Sequence, residues 1–185
     1  MRVHVEDSGS SCVLRLTDAK LSVANGLRRA CLADVTAPAF ERLLIRVNTS
    51  SHTDEVLAHR LGLMPLRGAG GDGTAKLAVR CTERRQTVTM ADFDWPENVQ
   101  PVHLHSPLVT LTRGQALDLE VTAMWGSGSD HAKFCPCSRV ALSHGEATGS
   151  YELTLDSRSQ HPAVEVAIMA TEQLLQSISE VRSAA

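Results

Sequence analysis

Thr53-Asp54-Glu55-Val56-Leu57-Ala58-His59-Arg60-Leu61-Gly62-Leu63-Met64-Pro65-Leu66 is the stretch from which the rest of the chain is read. Amides in the first turn of a helix lack partners, so the Asp54 carboxylate is placed to cap a helix, and Glu55 adds favourable charge against the helix dipole. Val56, Leu57, Leu61 and Leu63 supply apolar packing. Gly62, having no Cβ, suits a left-handed C-terminal turn, and Pro65 prevents the helix from resuming. The spacing predicts one compact helix, a sharp stop and an extended exit through Leu66.

Working outward, Phe40 to Ser50 reads as a strand that runs into the polar loop Asn48-Thr49-Ser50 just before the corner. Upstream, Leu21, Ala24, Leu27, Cys31 and Val35 recur at three- and four-residue steps and predict an amphipathic helix with Ser22 as N-cap and Pro38 as its limit. Gly26 inside it costs about 1 kcal/mol of helix propensity relative to alanine. It marks either close approach of another backbone or simple tolerance of a poor helix former. Val3 and Val5 alternate across a Ser/Gly turn from Cys12-Val13-Leu14-Arg15-Leu16, which predicts an opening hairpin.

Downstream, Arg67 to Gly73 is glycine-rich but is not followed by the Lys-Ser/Thr pair that a phosphate-cradling loop needs, so it reads as a linker. Thr74 to Thr82 and Gln86 to Met90 are short alternating strands. Pro107 to Ala123 alternates on both sides of Arg113-Gly114 and predicts a hairpin. Ser138 to Leu142 and Tyr151 to Asp156 read as two more strands. Pro162 opens a last helix whose stripe of Val164, Ala167, Ile168, Thr171, Leu174, Leu175, Ile178 and Val181 is long for a helix that only covers its own sheet.

A chain of 185 residues can bury a sizeable core. With 18 Lys plus Arg against 21 Asp plus Glu, the net charge of -3 provides no global field for nucleic acid. Aromatic residues at 3% leave few stacking platforms for single strands, so the core is aliphatic. Five cysteines without regular spacing point to a reducing compartment. No window approaches the roughly 20 apolar residues of a membrane span.

Several of these segments resemble the RNA polymerase family that comprises the archaeal D subunit and the third-largest subunit of eukaryotic RNA polymerase II, with the bacterial alpha N-terminal domain a more distant relative. The corner looks like that family's DExxAHRLGLxP motif, and Leu21 to Val35 is similar to its LANALRRALLAEVP helix. Gly126-Ser127-Gly128-Ser129-Asp130-His131-Ala132-Lys133-Phe134-Cys135-Pro136-Cys137 resembles its GxG(K/R)(D/E)HAK(W/F)xP loop, with Ser129 replacing the basic residue and Phe134 standing where tryptophan is commoner. The resemblance is collinear over nearly the whole chain. It implies an α+β fold: an alpha-N-terminal-like dimerisation domain, an antiparallel sheet with two packing helices, formed by residues 1–66 and 124–185 and interrupted by a β-rich insert at 67–123.

The resemblance further implies a non-catalytic assembly subunit with no cofactor. Its partners are a small subunit resembling archaeal L, the largest and second-largest catalytic subunits and small zinc-binding subunits, with DNA reached only through the complex and no membrane involved. Leu21, Ala24, Leu27, Arg28, Arg29, Cys31, Val35, Val164, Ile168, Leu175 and Ile178 are the expected partner-binding residues. Asp54, Glu55, His59, Arg60, Gly62, Pro65, Gly128, Asp130, His131, Lys133 and Pro136 are expected to hold the two motifs in shape. The chain is short for the family, which fits a viral or otherwise reduced polymerase. It would work in the nucleus of a eukaryote, or in the cytoplasm or virion for an archaeal or viral source.

Two other classes compete. A metal-dependent hydrolase would use His59, His131, Cys135 and Cys137, but Cys-Pro-Cys is tight for the usual zinc knuckle and no second pair follows, so no metal is expected. A nucleic-acid-binding module would use Arg28, Arg29, Arg84 and Arg85 as phosphate contacts; on pattern alone, paired arginines are an ordinary solvated helix face.

Overall fold

A computed structural model describes residues 1–68, 73–145, 147–158 and 160–184. In chain order the elements are β1 (Arg2–Asp7), β2 (Ser11–Thr17), α1 (Leu21–Ala33), β3 (Thr36–Asn48), α2 (Asp54–Gly62), β4 (Leu66–Gly68), β5 (Gly73–Arg80), β6 (Arg85–Thr89), β7 (Val99–Pro101), β8 (Pro107–Thr112), β9 (Ala116–Ser127), β10 (Cys137–His144), β11 (Tyr151–Ser157) and α3 (Ala163–Ala184). Among the described residues the fold is α+β, with antiparallel sheets and three α-helices, consistent with the alpha-N-terminal-like expectation. No helix among the described residues is long and apolar enough to cross a membrane.

The chain forms two compact units, residues 1–37 with 127–185, and residues 38–126. Residues 38–66 lie in the second unit because Phe40, Leu57, Leu61 and Leu66 share its core.

In the first unit the sheet order is β1-β2-β11-β10. Residues directly opposite each other across antiparallel strands point to the same face, so the register fixes which side chains meet. Val5, Leu14, Leu153 and Leu142 form one such row, and Cys12, Leu155 and Val140 another. Cys12, Leu14, Leu153 and Leu155 are buried in one cluster with Ala30, Cys31 and Val35 at the end of α1 and Ala163, Val166, Ala167 and Ala170 on the first half of α3. Small residues on both helices let them approach the sheet closely.

Several local expectations change. α1 opens at Leu21 with Lys20 as N-cap and no side-chain cap, so Ser22 lies within the first turn, and the helix ends at Ala33, before Val35 and Pro38. A Cβ on Gly26 would meet only the Leu174 side chain, at 3.7 Å, which is ordinary contact and not backbone approach. Gly128 is different: a Cβ there would lie 1.9 Å from the Leu32 carbonyl oxygen. No side chain fits where this loop crosses the end of α1.

In the second unit β3, β9 and β5 form a three-stranded sheet, with β4 paired to β7 and β6 to β8. Alternation along β9 buries Leu117, Leu119, Val121 and Ala123 while β5 supplies Ala75 and Leu77 opposite them. The expected hairpin at Arg113-Gly114 is a corner between two sheets, because β8 pairs with β6 and β9 with β3 and β5. Gly114 has φ +88°, which favours glycine at the turn. Residues 69–72 of the expected linker lie outside the described residues.

Gly128→Ala should lower the stability of the first unit by about 1–3 kcal/mol in a urea titration, since the added methyl collides with backbone that cannot retreat without distorting α1. An unchanged midpoint would show that the loop does not cross α1 this closely.

Candidate docking face

Cross-strand register places Val3 opposite Leu16 and Val5 opposite Leu14, on the face that the helices cover farther along the sheet. No element among the described residues covers β1 there. Val3 is 50% exposed and Val5 44%, whereas Leu14 and Leu16 one strand inward are buried. Across from β1, the second half of α3 continues past its own core with Leu175 62% and Ile178 57% exposed. Met1, Val3, Val5, Val23, Leu27, Val164, Ile168, Leu174, Leu175 and Ile178 line a single open groove, with Thr171 and Glu172 as its polar side chains.

The expected partner-binding residues divide on this geometry. Leu21 and Ile168 are exposed, like Leu175 and Ile178, and Leu27 and Val164 are half-buried. Ala24, Cys31 and Val35 are at or below 1% exposure within the chain itself, so they offer a partner no surface. They look the same as the others in the sequence because a three/four stripe marks an apolar face without saying how much of it the home sheet occupies. Val3, Val5 and Val23 were missed as lining residues. The alternation of Val3 and Val5 was visible, but its uncovered state depends on the sheet order.

Arg28 is half-buried and donates from Nε to Asn25 Oδ1 at 2.9 Å, a contact within α1, while Arg29 is exposed. Arg84 and Arg85 are exposed and belong to the other compact unit.

The loop after β9 closes the open end of α1. The last carbonyls of a helix have no partner within it. Here the Ala33 carbonyl accepts from the Ser129 amide and hydroxyl, each at 3.0 Å, and the Cys31 carbonyl accepts from Cys137 Sγ at 3.3 Å. Asp130 Oδ2 accepts from the Ser127 amide at 2.9 Å and hydroxyl at 2.8 Å, which hold its carboxyl below the usual range. His131 Nδ1 accepts from the Lys133 amide at 3.1 Å. Pro136 is buried beneath the loop. Ser129, at the position where the family motif has a basic residue, thus serves as a helix-end donor.

The corner in the second unit is built differently from its sequence reading. Thr53, not Asp54, occupies the N-cap of α2. Glu55 is held below its ordinary value by its own backbone amide and by the Thr53 side chain. Asp54 Oδ1 instead accepts from Asn48 Nδ2 at 2.7 Å, and Asn48 Oδ1 accepts from the Ser50 amide and hydroxyl at 3.0 and 2.7 Å. Thr49 Oγ1 accepts from the Ala116 amide at 2.7 Å and ties this loop to the start of β9. Gly62 is the last residue of α2, and the C-cap Leu63 has φ -88°, so no left-handed turn is used. Arg60 Nη2 donates to the Pro107 carbonyl at 3.0 Å. His59 is exposed and its ring makes no hydrogen bond among the described residues.

Among the described residues no three or more His, Cys, Asp or Glu side chains converge to hold a metal. His59 belongs to a different compact unit from His131, Cys135 and Cys137.

Asp156 at the end of β11 accepts from Ser11 Oγ at 2.6 Å and Arg139 Nε at 2.8 Å, which hold it, like Asp130, below the ordinary carboxylate value. A depressed folded-state pKa stabilises the fold above the unfolded value of about 4, and that contribution is lost as pH falls through the folded value. Thermal melts should therefore show stability falling from about pH 5 toward pH 2. Asp156→Asn should flatten that slope, and an unchanged slope would show that Asp156 does not contribute to it.

No family model matches the chain. It is 33% identical over 122 residues to the DNA-directed RNA polymerase subunit Rpo3 of Methanocaldococcus jannaschii, a match covering 66% of this chain and 64% of that protein. It is 32% identical over 196 residues to subunit RPAC1 of RNA polymerases I and III of Homo sapiens, covering 83% of this chain and 54% of the relative. Subunit 3 of RNA polymerases II, IV and V of Arabidopsis thaliana is 29% identical over 199 residues, covering 88% and 62%. The chain thus spans between 54% and 64% of the length of these relatives.

Proposed function

Because the chain belongs to the RNA polymerase subunit family of archaeal Rpo3, RPAC1 and the third subunit of RNA polymerase II, we propose that it is a non-catalytic assembly subunit of a multisubunit DNA-directed RNA polymerase. It pairs with a small subunit resembling archaeal L through the groove between β1, α1 and α3. The pair then gives the largest and second-largest subunits, with the small zinc-binding subunits, a platform on which to assemble. It acts wherever its polymerase does, nucleus or cytoplasm, and meets DNA only through the complex.

The observation that carries this reading is the uncovered apolar groove. Isolated exposed apolar side chains are normal on a soluble protein, but a continuous apolar concavity lined by two helices and a strand marks an interaction surface. A structurally similar partner would continue the sheet face and supply a second helix pair. Obligate interfaces of this sort remove about 2,000 Å² or more from water. The family division into 1–66 plus 124–185 with an insert at 67–123 is part of the proposal, although the groove itself needs only residues 1–37 and 127–185. Arg29, exposed on α1, is available to a large subunit, and Arg28 is engaged with Asn25.

Ile178→Asp should abolish co-purification with the co-expressed small subunit, because a charge cannot be buried unpaired at an apolar seam. Since Ile178 is 57% exposed, the isolated variant should keep its circular dichroism spectrum and melt close to wild type. Leu27→Asp should also break the pair, but Leu27 packs partly against the home core and so tests folding as well. Recovery of Ile178→Asp with the small subunit at wild-type yield would defeat the proposal.

A further inference from the structure

Cys135 and Cys137 flank the buried Pro136 in the loop that closes α1. All five cysteines are free thiols. Four are sealed in the cores, Cys12, Cys31 and Cys81 at or below 1% exposure and Cys137 at 6%, while Cys135 is half-buried and open to solvent. Cys135 Sγ donates to the Cys137 carbonyl oxygen at 3.5 Å, across the single intervening proline. Arg158 points its Nη1 at the carbonyls of Lys133 and Cys135, 3.4 Å from each, and so fixes a cation beside the same loop.

We propose that Cys135 is a site of thiol–disulfide exchange with low-molecular-weight disulfides of the glutathione class, and that Cys137 resolves the adduct by closing a Cys135–Cys137 disulfide. The electrostatics agree with the geometry. Hydrogen bonding from Cys137 and the Arg158 charge bring the Cys135 thiol down to about 6 against its burial, while the same contact and burial push Cys137 up. Of the two, Cys135 is therefore the thiol more readily ionised to the thiolate, the form that attacks.

In the first step the Cys135 thiolate attacks one sulfur of the small disulfide. The S–S bond breaks, a mixed disulfide forms at Cys135 and one small thiolate leaves, taking a proton from solvent. In the second step Cys137 gives its proton to solvent and its sulfur attacks Cys135 Sγ, releasing the second small thiolate, which is protonated in turn. The two cysteines lose two electrons and two protons, and the small disulfide becomes two thiols. Cys137 Sγ also lies 3.3 Å from the Cys31 carbonyl in the last turn of α1, so the site sits at the end of a helix that forms one wall of the groove. The chemistry does not depend on the docking proposal.

The test treats the full chain with oxidised glutathione at pH 7 and locates the products by peptide mass spectrometry. Wild type should end with Cys135 and Cys137 joined and no retained glutathione. Cys137→Ser should stop at one glutathione on Cys135, and Cys135→Ser should take up none in the same time. Because Cys137 is buried and its substitution can disturb the loop, a brief iodoacetamide pulse on wild type gives an independent reading. Cys135 should be alkylated about tenfold or more ahead of every other cysteine. Glutathione on a different cysteine, uptake by Cys135→Ser at the wild-type rate, a stable adduct on wild type, or uniform alkylation would each overturn the proposal.

Discussion

The pairing of β2 with β11 joins segments more than a hundred residues apart, and the first unit is organised by it. It sets Leu14 against Leu153 and Cys12 against Leu155, producing the central rows on which α1 and α3 pack. Strand β1 is tied to β2 by a tight turn, and β10 pairs with the other side of β11, so both outer strands inherit their facing from the central pair. A one-residue slip between β2 and β11 would turn Leu14 and Cys12 to solvent and remove the floor of both helices. Because this contact is so non-local, no short window of the sequence contains it.

That explains what could and could not be read from the residues. Elements with a local signature were legible: the opening hairpin, the β10–β11 pair, the stripe of α3 and the helix at Asp54 all occur where periodicity and turn residues put them. Helix ends were read less well. Ser22, Asp54 and Gly62 are suitable capping types, but Lys20, Thr53 and Leu63 hold the caps, and the Asp54 carboxylate is engaged by the Asn48 side chain instead. Sheet membership was least legible. Strands β8 and β9 alternate around Gly114 as a hairpin would, and only the positions of β5 and β6 decide that they part into different sheets.

The apolar helix faces show the same limit. Cys31 and Ile178 both occupy the apolar face of a helix, yet one is fully covered by β2, β11 and α3 and the other stands in solvent. Distinguishing them needs the width of the sheet beneath. The motif residues fared differently, since family resemblance located the loop at Gly128 without giving its reason. The physical reason is that Gly128 passes against the Leu32 carbonyl while Ser129 takes the carbonyl of the next residue, which makes the loop the C-terminal cap of α1.

Helix α3 runs well beyond the part of it that its own sheet covers. Its 22 residues extend about 33 Å at 1.5 Å per residue, but the side chains buried at home, Ala163, Val166, Ala167 and Ala170, occupy only its beginning. Beyond them Leu175, Ile178 and Val181 repeat at three-residue steps in water. A helix needing only to cover its sheet could end near Leu174 or carry polar residues from there on, losing nothing at home. Instead the apolar stripe continues, and its Leu175 and Ile178 line the same groove as Val3 and Val5, which the register places on the helix-covered face of the sheet. Two separate elements, one fixed by cross-strand pairing and one by helical period, thus expose apolar surface to one common space. A second apolar body filling that space satisfies both at once, whereas a lone chain leaves both in contact with water.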